Sequence, residues 1–256
     1  MNSLKNTLDL LTARYNVPSF VDDDPVQFPR RFSSQDDIEI AAFLTSIISW
    51  GRRPMILSNA EKLLKLLDNS PAAFVRGGDI EAISEANIHR TFFGRHLRYC
   101  LRGLRAVYSK YATMEDFAAH QKITSGKSPA WELAKALNSV FALENRMCPN
   151  PLSGPTRCLP DKVDGSALKR LNMMLRWLVR DDGVVDMGVW SLLKPSQLFI
   201  PLDVHSGNTA RTLGLLTRKQ NDRRAVEELT GNLRKFDAAD PVKYDFALFG
   251  AGVNEG

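Results

Sequence analysis

Hydrophobic residues recur every three to four positions along most of this chain, which is the spacing of one face of an α-helix. Residues 34–50 show the pattern clearly, because Ser33 or Ser34 can cap the segment, acidic residues begin it and Trp50-Gly51 ends it. The same period predicts further helices over residues 56–67, 96–111, 131–143, 166–180 and 222–236.

Two stretches depart from this pattern. Residues 145–165 contain four prolines and little periodicity, which predicts a long irregular loop. Residues 197–202 alternate weakly and form a strand candidate. A last helix is expected to begin at Asp240-Pro241 and to end at Gly250. Because period-two alternation is otherwise nearly absent, the predicted fold class is all-α.

Composition narrows the class of protein only a little. The chain has 256 residues, 44% of them hydrophobic, which is enough for a substantial core. Its 34 Lys and Arg residues against 29 Asp and Glu residues give a net charge of +5. A mildly basic balance of this kind permits nucleic-acid binding without requiring it.

The cysteines and the N-terminal residues bear on compartment and cofactors. Cys100, Cys148 and Cys158 form an odd, sparse set with no ligand spacing, which favours a reducing compartment and predicts no metal and no other cofactor. Residues 1–5 lack the apolar core of a secretory signal, and no run of about 18 apolar residues occurs. We expect a cytoplasmic protein without membrane contact, and a monomer.

The segment from Ile200 to Leu215 carries the strongest functional signal. An apolar approach ends in Pro201, Asp203 follows, and a short helix then runs to Gly214. This order predicts that Asp203 is a helix N-cap whose carboxylate accepts backbone N–H bonds. Taken alone, such an aspartate is an ordinary structural cap.

The same layout resembles the helix-hairpin-helix DNA glycosylases, including the endonuclease III and archaeal 8-oxoguanine glycosylase groups. In that superfamily a Pro-Val-Asp tripeptide carries the catalytic aspartate at the start of a helix that ends in Leu-Gly, as Pro201-Leu202-Asp203 and Leu213-Gly214 do here. The layout also resembles a family of uncharacterised bacterial proteins. The resemblance implies one compact unit of two interlocked helical lobes, about residues 34–170 and residues 1–33 plus 171–256.

The resemblance also implies a catalytic lysine upstream of the aspartate, and Lys169 matches that position. Gly165 precedes it as the hairpin turn, and the offset from Lys169 to Asp203 is 34 residues (203 − 169). A glycosylase that cleaves the strand uses such an amine to attack the sugar C1′. The departures are one hairpin glycine instead of two and no C-terminal cysteine quartet. Taken alone, Lys169 is an ordinary exposed helix lysine.

Further candidates follow from the expected partner, damaged duplex DNA. Phosphate-binding candidates are Arg52, Arg53, Gly165, Arg170, His205 and Arg211. Candidates for stacking on an extruded base are Trp50 and Trp190, whereas Trp177 lies within an apolar stripe that favours the core. The stripe formed by Arg95, Arg98, Arg102 and Arg105 fits either a phosphate-binding face or a solvated helix face.

Three interpretations remain open at this level. The first is a base-excision glycosylase, with Lys169 as nucleophile and Asp203 either accepting its proton or stabilising positive charge on the sugar. The second is a nucleic-acid-binding module of the same fold without catalysis. The third is a small-molecule enzyme or an adaptor on a helical scaffold. A buried Lys169 near Asp203 favours the enzyme, and an exposed one favours the module.

Overall fold

A computed structural model describes residues 2–254, and it confirms an all-α fold. The helices are α1 (Asn2–Tyr15), α2 (Gln35–Ile47), α3 (Arg53–Leu66), α4 (Pro71–Gly77), α5 (Gly94–Tyr108), α6 (Met114–His120), α7 (Pro129–Met147), α8 (Lys169–Val179), α9 (Val204–Thr212), α10 (Arg223–Arg234) and α11 (Asp245–Asn254). Strands β1 (Asn87–His89) and β2 (Phe92–Phe93) pair antiparallel as a short hairpin. Short 3-10 turns lie at Pro18–Asp23, Pro25–Gln27, Pro29–Arg31, Val163–Gly165, Pro195–Gln197 and Pro241–Tyr244.

The chain divides into two compact units. The discontinuous unit comprises the described residues of Met1–Asp22 and Asp164–Gly256, and the continuous unit is Asp23–Val163. The one-unit arrangement implied by the resemblance stays a prediction. Within residues 2–254, no helix combines the length and the apolarity needed to cross a bilayer.

In the continuous unit, α2 is buried along nearly its whole length and carries the buried charged residue Glu39. The Glu39 carboxylate accepts hydrogen bonds from the backbone N–H of Met114 at 2.6 Å and of Glu115 at 3.1 Å, and from the Tyr108 hydroxyl at 2.8 Å. Since the first N–H groups of a helix have no partner within that helix, Glu39 supplies acceptors to the start of α6 from another helix. Helices α5 and α7 pack closely where Gly103 faces the Phe141 ring, in a space that a Cβ would overlap.

In the discontinuous unit, α11 is the central packing element. Gly250 faces the Tyr15 ring of α1, and Gly252 approaches the His205 carbonyl of α9 so closely that a Cβ would lie 3.2 Å from its oxygen. The small residues of α11 therefore permit close helix contact on two sides. The helices that hold Lys169, Asp203 and Asp245 all belong to this unit.

Several sequence predictions differ from the structure at element ends. The last helix runs beyond Gly250 to Asn254, and Asp240 makes no side-chain cap bond, because a 3-10 turn at Pro241–Tyr244 precedes α11. No strand forms over 197–202, where a 3-10 turn is followed by extended backbone. The loop expected at 145–165 contains no α-helix after α7 ends at Met147.

Candidate functional site

Asp203 is the N-cap of α9, as predicted. Its Oδ1 accepts hydrogen bonds from the Ser206 N–H at 3.0 Å and the Ser206 hydroxyl at 3.1 Å, and Ser206 Oγ in turn accepts from the Asp203 N–H at 3.0 Å. This reciprocal capping box fixes the carboxylate on the start of the helix. The Asp203 side chain is 25% exposed, so the group is held rigidly yet remains accessible.

Lys169 is the first residue of α8, and an unusual turn precedes it. Leu168 adopts the left-handed backbone conformation with φ 49°, its N–H donates to Ser166 Oγ at 3.2 Å, and Asn172 Nδ2 donates to the Ala167 carbonyl at 3.0 Å. The turn that the sequence assigned to Gly165 is therefore made by Leu168. Gly165 lies at the end of a 3-10 turn with open space around its Cα and no positive φ.

The structure brings Lys169 and Asp203 together. Lys169 Nζ lies 4.0 Å from Asp203 Oδ2, the carboxylate oxygen that the cap does not use, and the Lys169 side chain is 29% exposed. Two residues 34 positions apart in the chain thus meet where two helices begin. Because peptide dipoles leave positive potential at helix N-termini, the arrangement attracts anions.

A second carboxyl group, Asp245, is affected by the charges of both members of this pair and was not found from the sequence. It is buried at the start of α11 and pairs with the Arg176 guanidinium. Burial raises the pKa of Asp245 to about 6; the charge of Arg176 lowers it, that of Asp203 raises it and that of Lys169 lowers it. The spacing of seven residues places Lys169 and Arg176 on one face of α8, but nothing local in the sequence indicates that Asp245 pairs with Arg176.

Arg176 connects Asp245 to a buried ionic network. Arg176 Nε lies 3.2 Å from Asp186 Oδ1, and Arg180 Nη1 lies 2.5 Å from Asp186 Oδ2. Arg180 also pairs with Asp240 and with Asp182, each at 2.8 Å. Burial raises the pKa of Asp186 in spite of its two arginine partners. Arg176 therefore uses Nε for Asp186 and Nη1 for Asp245, so two buried carboxyl groups fix its guanidinium.

The remaining candidates in the discontinuous unit have mixed surroundings. His205 is exposed one residue after the start of α9, and Arg170 is half-buried in the first turn of α8. Arg211 donates from Nε to the Arg218 carbonyl at 2.9 Å and from Nη2 to the Lys219 carbonyl at 2.9 Å, which are the contacts of a residue that stabilises a turn. Trp190 is 3% exposed and therefore offers no free face to a base in this conformation.

In the continuous unit, Trp50 lies half-exposed at a sharp turn between α2 and α3. Its carbonyl accepts from His89 Nε2 at 2.7 Å, which makes His89 Nδ1 the acceptor for Asn59 Nδ2 at 2.9 Å. The His89 and Trp50 rings meet edge to face at 4.6 Å, and burial lowers the pKa of His89. Gly51, at φ +100°, leaves room for the Arg90 side chain. The hairpin of β1 and β2 thus fixes the turn that carries Trp50.

Arg52 and Arg53 follow this turn at the start of α3. Arg52 is the N-cap residue and is exposed, and Arg53 is the first helical residue and is half-buried. The exposed Arg90 side chain approaches Gly51, so three arginines lie on or beside the turn that carries the half-exposed Trp50. We call residues 50–53 with Arg90 the Trp50 turn.

The arginine stripe of α5 is internally paired. Arg102 pairs with Glu81 at 2.6 Å, Arg95 with Glu85 at 3.3 Å, and Arg98 with Glu85 as well. Arg105 donates to the carbonyls of Val75 at 2.6 Å and Gly78 at 2.6 Å, at the end of α4. The stripe holds the segment 74–85 against α5, so the structure assigns these arginines a packing role.

The comparison with known proteins places the chain in a family. Residues 24–254 match DUF2400, which is described as a protein of unknown function. The chain belongs to the DUF2400 family. The matched region includes Lys169, Asp203, Asp245 and the Trp50 turn, and leaves α1 outside. No curated protein and no solved structure matches the chain.

The sequence motifs identify Lys169 and Asp203 as candidates, but they do not identify the buried residues Asp245 and Arg176. The described residues contain no group of three or more His, Cys, Asp or Glu side chains placed to hold a metal ion. What the arrangement offers chemically is an amine, an adjacent capped carboxylate and a buried acid anchored by an arginine.

Proposed function

We propose that this DUF2400 protein is a DNA base-excision glycosylase with lyase activity, in which Lys169 is the nucleophile and Asp203 assists it. The observation that carries the proposal is the 4.0 Å approach of Lys169 Nζ to the free oxygen of Asp203. The pair lies at two helix starts, as the resemblance to the helix-hairpin-helix glycosylases implies. A partly buried lysine beside Asp203 supports an enzyme over a module that only binds.

The chemistry requires Lys169 to act as a neutral amine. Its nitrogen forms a bond to the sugar C1′ while the bond from C1′ to the base breaks, and the electron pair of that bond leaves with the base. Of the two protons of the amine, one is taken up by the departing base and the other by O4′, whose bond to C1′ breaks as the N=C1′ double bond of the Schiff base forms. Asp203 Oδ2 is placed either to accept a proton from Lys169 or to stabilise positive charge on the sugar.

Two features support nucleic acid as the partner. The start of α8 lies beside the half-buried Arg170, and a helix start next to an arginine suits a phosphate. The Trp50 turn combines arginines with a half-exposed indole, which suits a strand with an accessible base. The net charge of +5 is small, so binding depends on such local concentrations of charge.

Borohydride trapping tests the proposal. Purified protein is mixed with duplexes that each contain one damaged base or an abasic site, borohydride is added, and covalent adducts are separated by denaturing electrophoresis. We expect an adduct with at least one duplex, its loss in Lys169→Ala, and its retention in the control Lys162→Ala, whose lysine is exposed in the loop before α8.

The other outcomes separate the alternatives. Salt-sensitive binding to duplexes without any adduct from a broad panel, including the abasic duplex, would replace the enzyme with a binding module. Absence of DNA binding at low salt would remove both nucleic-acid interpretations and favour a small-molecule enzyme or an adaptor.

A further inference from the structure

The buried carboxyl group of Asp245 interacts electrostatically with both Lys169 and Asp203, although neither the cap nor the nucleophile role accounts for it. Asp245 is the first residue of α11, is 7% exposed and pairs with Arg176. Burying a carboxylate costs free energy that a structural residue could avoid by being apolar. The neighbours of Asp245 should therefore explain why a carboxyl group is kept at this position.

Helices α8 and α9, which carry the pair, both contact α11, which carries Asp245. Arg176 lies two turns after Lys169 on the same face of α8, and long side chains in helices lean towards the N-terminal end, here towards Lys169. Helix α11 also packs closely on α9 through Gly252, which faces the His205 carbonyl. Three helices, α8, α9 and α11, thus contribute Lys169, Asp203 and Asp245.

The charges of Lys169 and Asp203 both act on Asp245. Arg176 and Lys169 from α8 stabilise its carboxylate, whereas Asp203 at the cap of α9 and Asp186 after α8 destabilise it. Burial outweighs these terms, so the pKa of Asp245 stands at about 6. Asp245 is thus electrostatically coupled to both members of the pair and changes charge within an accessible pH range.

We propose that Asp245 is a positioning residue of the Lys169–Asp203 site: its carboxylate, anchored by Arg176, attracts the ammonium form of Lys169 and so sets its position beside Asp203, before the ammonium gives up a proton and reacts. The proposal rests on the proposed function for its catalytic consequence. The electrostatic coupling of Asp245 to Lys169 and Asp203 does not depend on the proposed function. When Asp245 is protonated the attraction is lost, so the site works best with Asp245 ionised.

The first experiment measures the coupling without any activity. The carboxyl ¹³C signal of Asp245 is followed by NMR against pH in the full chain, in wild type, Lys169→Met, Asp203→Asn and the control Lys243→Met. Lys243 is a cation of the same unit that pairs with Asp237 and Asp9 instead. We expect the Asp245 pKa to rise in Lys169→Met, to fall in Asp203→Asn and to stay near wild type in Lys243→Met.

An Asp245 pKa that is unchanged in both Lys169→Met and Asp203→Asn would overturn the proposal. This result is independent of glycosylase activity, so it separates the failure of this proposal from the failure of the proposed function. Both substitutions are at partly exposed side chains, so the folded protein is retained even if replacing the buried Asp245 itself unfolds the chain.

The second experiment measures the pH profile of borohydride trapping in wild type, Asp245→Asn and the control Asp237→Asn. We expect wild-type trapping to fall on the acid side with a midpoint near pH 6, where Asp245 takes up a proton. In Asp245→Asn this acid limb should disappear and trapping at neutral pH should drop about tenfold, the effect of a misplaced reacting group. An unchanged profile in folded Asp245→Asn would contradict the positioning role, because a purely structural residue would not set the midpoint.

Discussion

Asp203 divides two roles between its two carboxylate oxygens. Oδ1 is used by the capping box with Ser206, and Oδ2 faces Lys169. Asp203 can therefore cap α9 and assist Lys169 at the same time. Because the two roles use different atoms, substitutions can separate them.

Asp203→Asn should keep the cap and lose the chemistry. An asparagine oxygen can replace Oδ1 as acceptor for the Ser206 N–H, so the free energy of unfolding should change little, whereas Asp203→Ala should lower it by about 1 kcal/mol. Urea denaturation measures both. In trapping, Asn and Ala should be equally defective. If Asp203→Asn traps as well as wild type, the carboxylate has only its structural role.

At the scale of elements, the sequence predicts correctly those structures that depend on residues close together in the chain. The capped start of α9 and the helix that begins near Lys169 follow from residues within a few positions of one another. The pair of Arg176 with Asp245 joins residues 69 positions apart, and no local pattern indicates it. The hairpin of β1 and β2 has only three and two residues, too few for a visible alternation.

The arginine stripe of α5 shows the same limit, because a basic helix face looks the same whether it meets solvent, phosphate or carbonyl groups. In the structure Arg105 supplies hydrogen bonds to the end of α4, whose last carbonyls lack partners within the helix. Only the three-dimensional arrangement identifies these acceptors.

Arg105→Ala should therefore lower the free energy of unfolding by about 2 kcal/mol, because it leaves partly buried carbonyl groups without a charged donor. Arg95→Ala on the same helix is the matched control: its pair with Glu85 is about half exposed, so its loss should cost less than about 1 kcal/mol. Chemical denaturation of the two variants provides the comparison. Equal costs would show that Arg105 is only a solvated surface residue.

At the scale of the whole molecule, a net charge of +5 gives little general attraction for DNA, so position matters more than number. The arginines of α5 are paired within the chain, whereas the Trp50 turn presents Arg52 exposed at the start of α3. The pairing of the α5 arginines within the chain thus leaves fewer arginines that can bind a phosphate.

Replacing Arg52 and Arg53 together with Ala should reduce the slope of log affinity against log salt concentration by up to about 2, since each phosphate contact contributes about 0.9. The control variant replaces Arg76 and Arg95, which pair with Asp36 and Glu85, and removes the same amount of charge. Its slope should stay near that of wild type. Equal reductions in both variants would mean that only total charge matters.

Stability should also depend on pH through Asp245. Its pKa in the folded protein, about 6, is above the ordinary 3.8, so its contribution to stability is fully present below about pH 4 and is lost as pH rises through 6. The difference corresponds to about 3 kcal/mol. Relative to wild type, Asp245→Asn should therefore gain stability between pH 4 and pH 7, as thermal unfolding at several pH values can measure. A constant difference across this range would refute the assignment.

The central claim is that Lys169 is the amine that reacts, and peptide mapping of the trapped adduct tests it most directly. The borohydride-reduced complex of wild-type protein with a damaged duplex is digested with nuclease and protease, and the modified lysine is located by mass spectrometry. The account predicts the sugar remnant on Lys169, and no adduct in Lys169→Ala. An adduct on another lysine, or one that persists in Lys169→Ala, would contradict it.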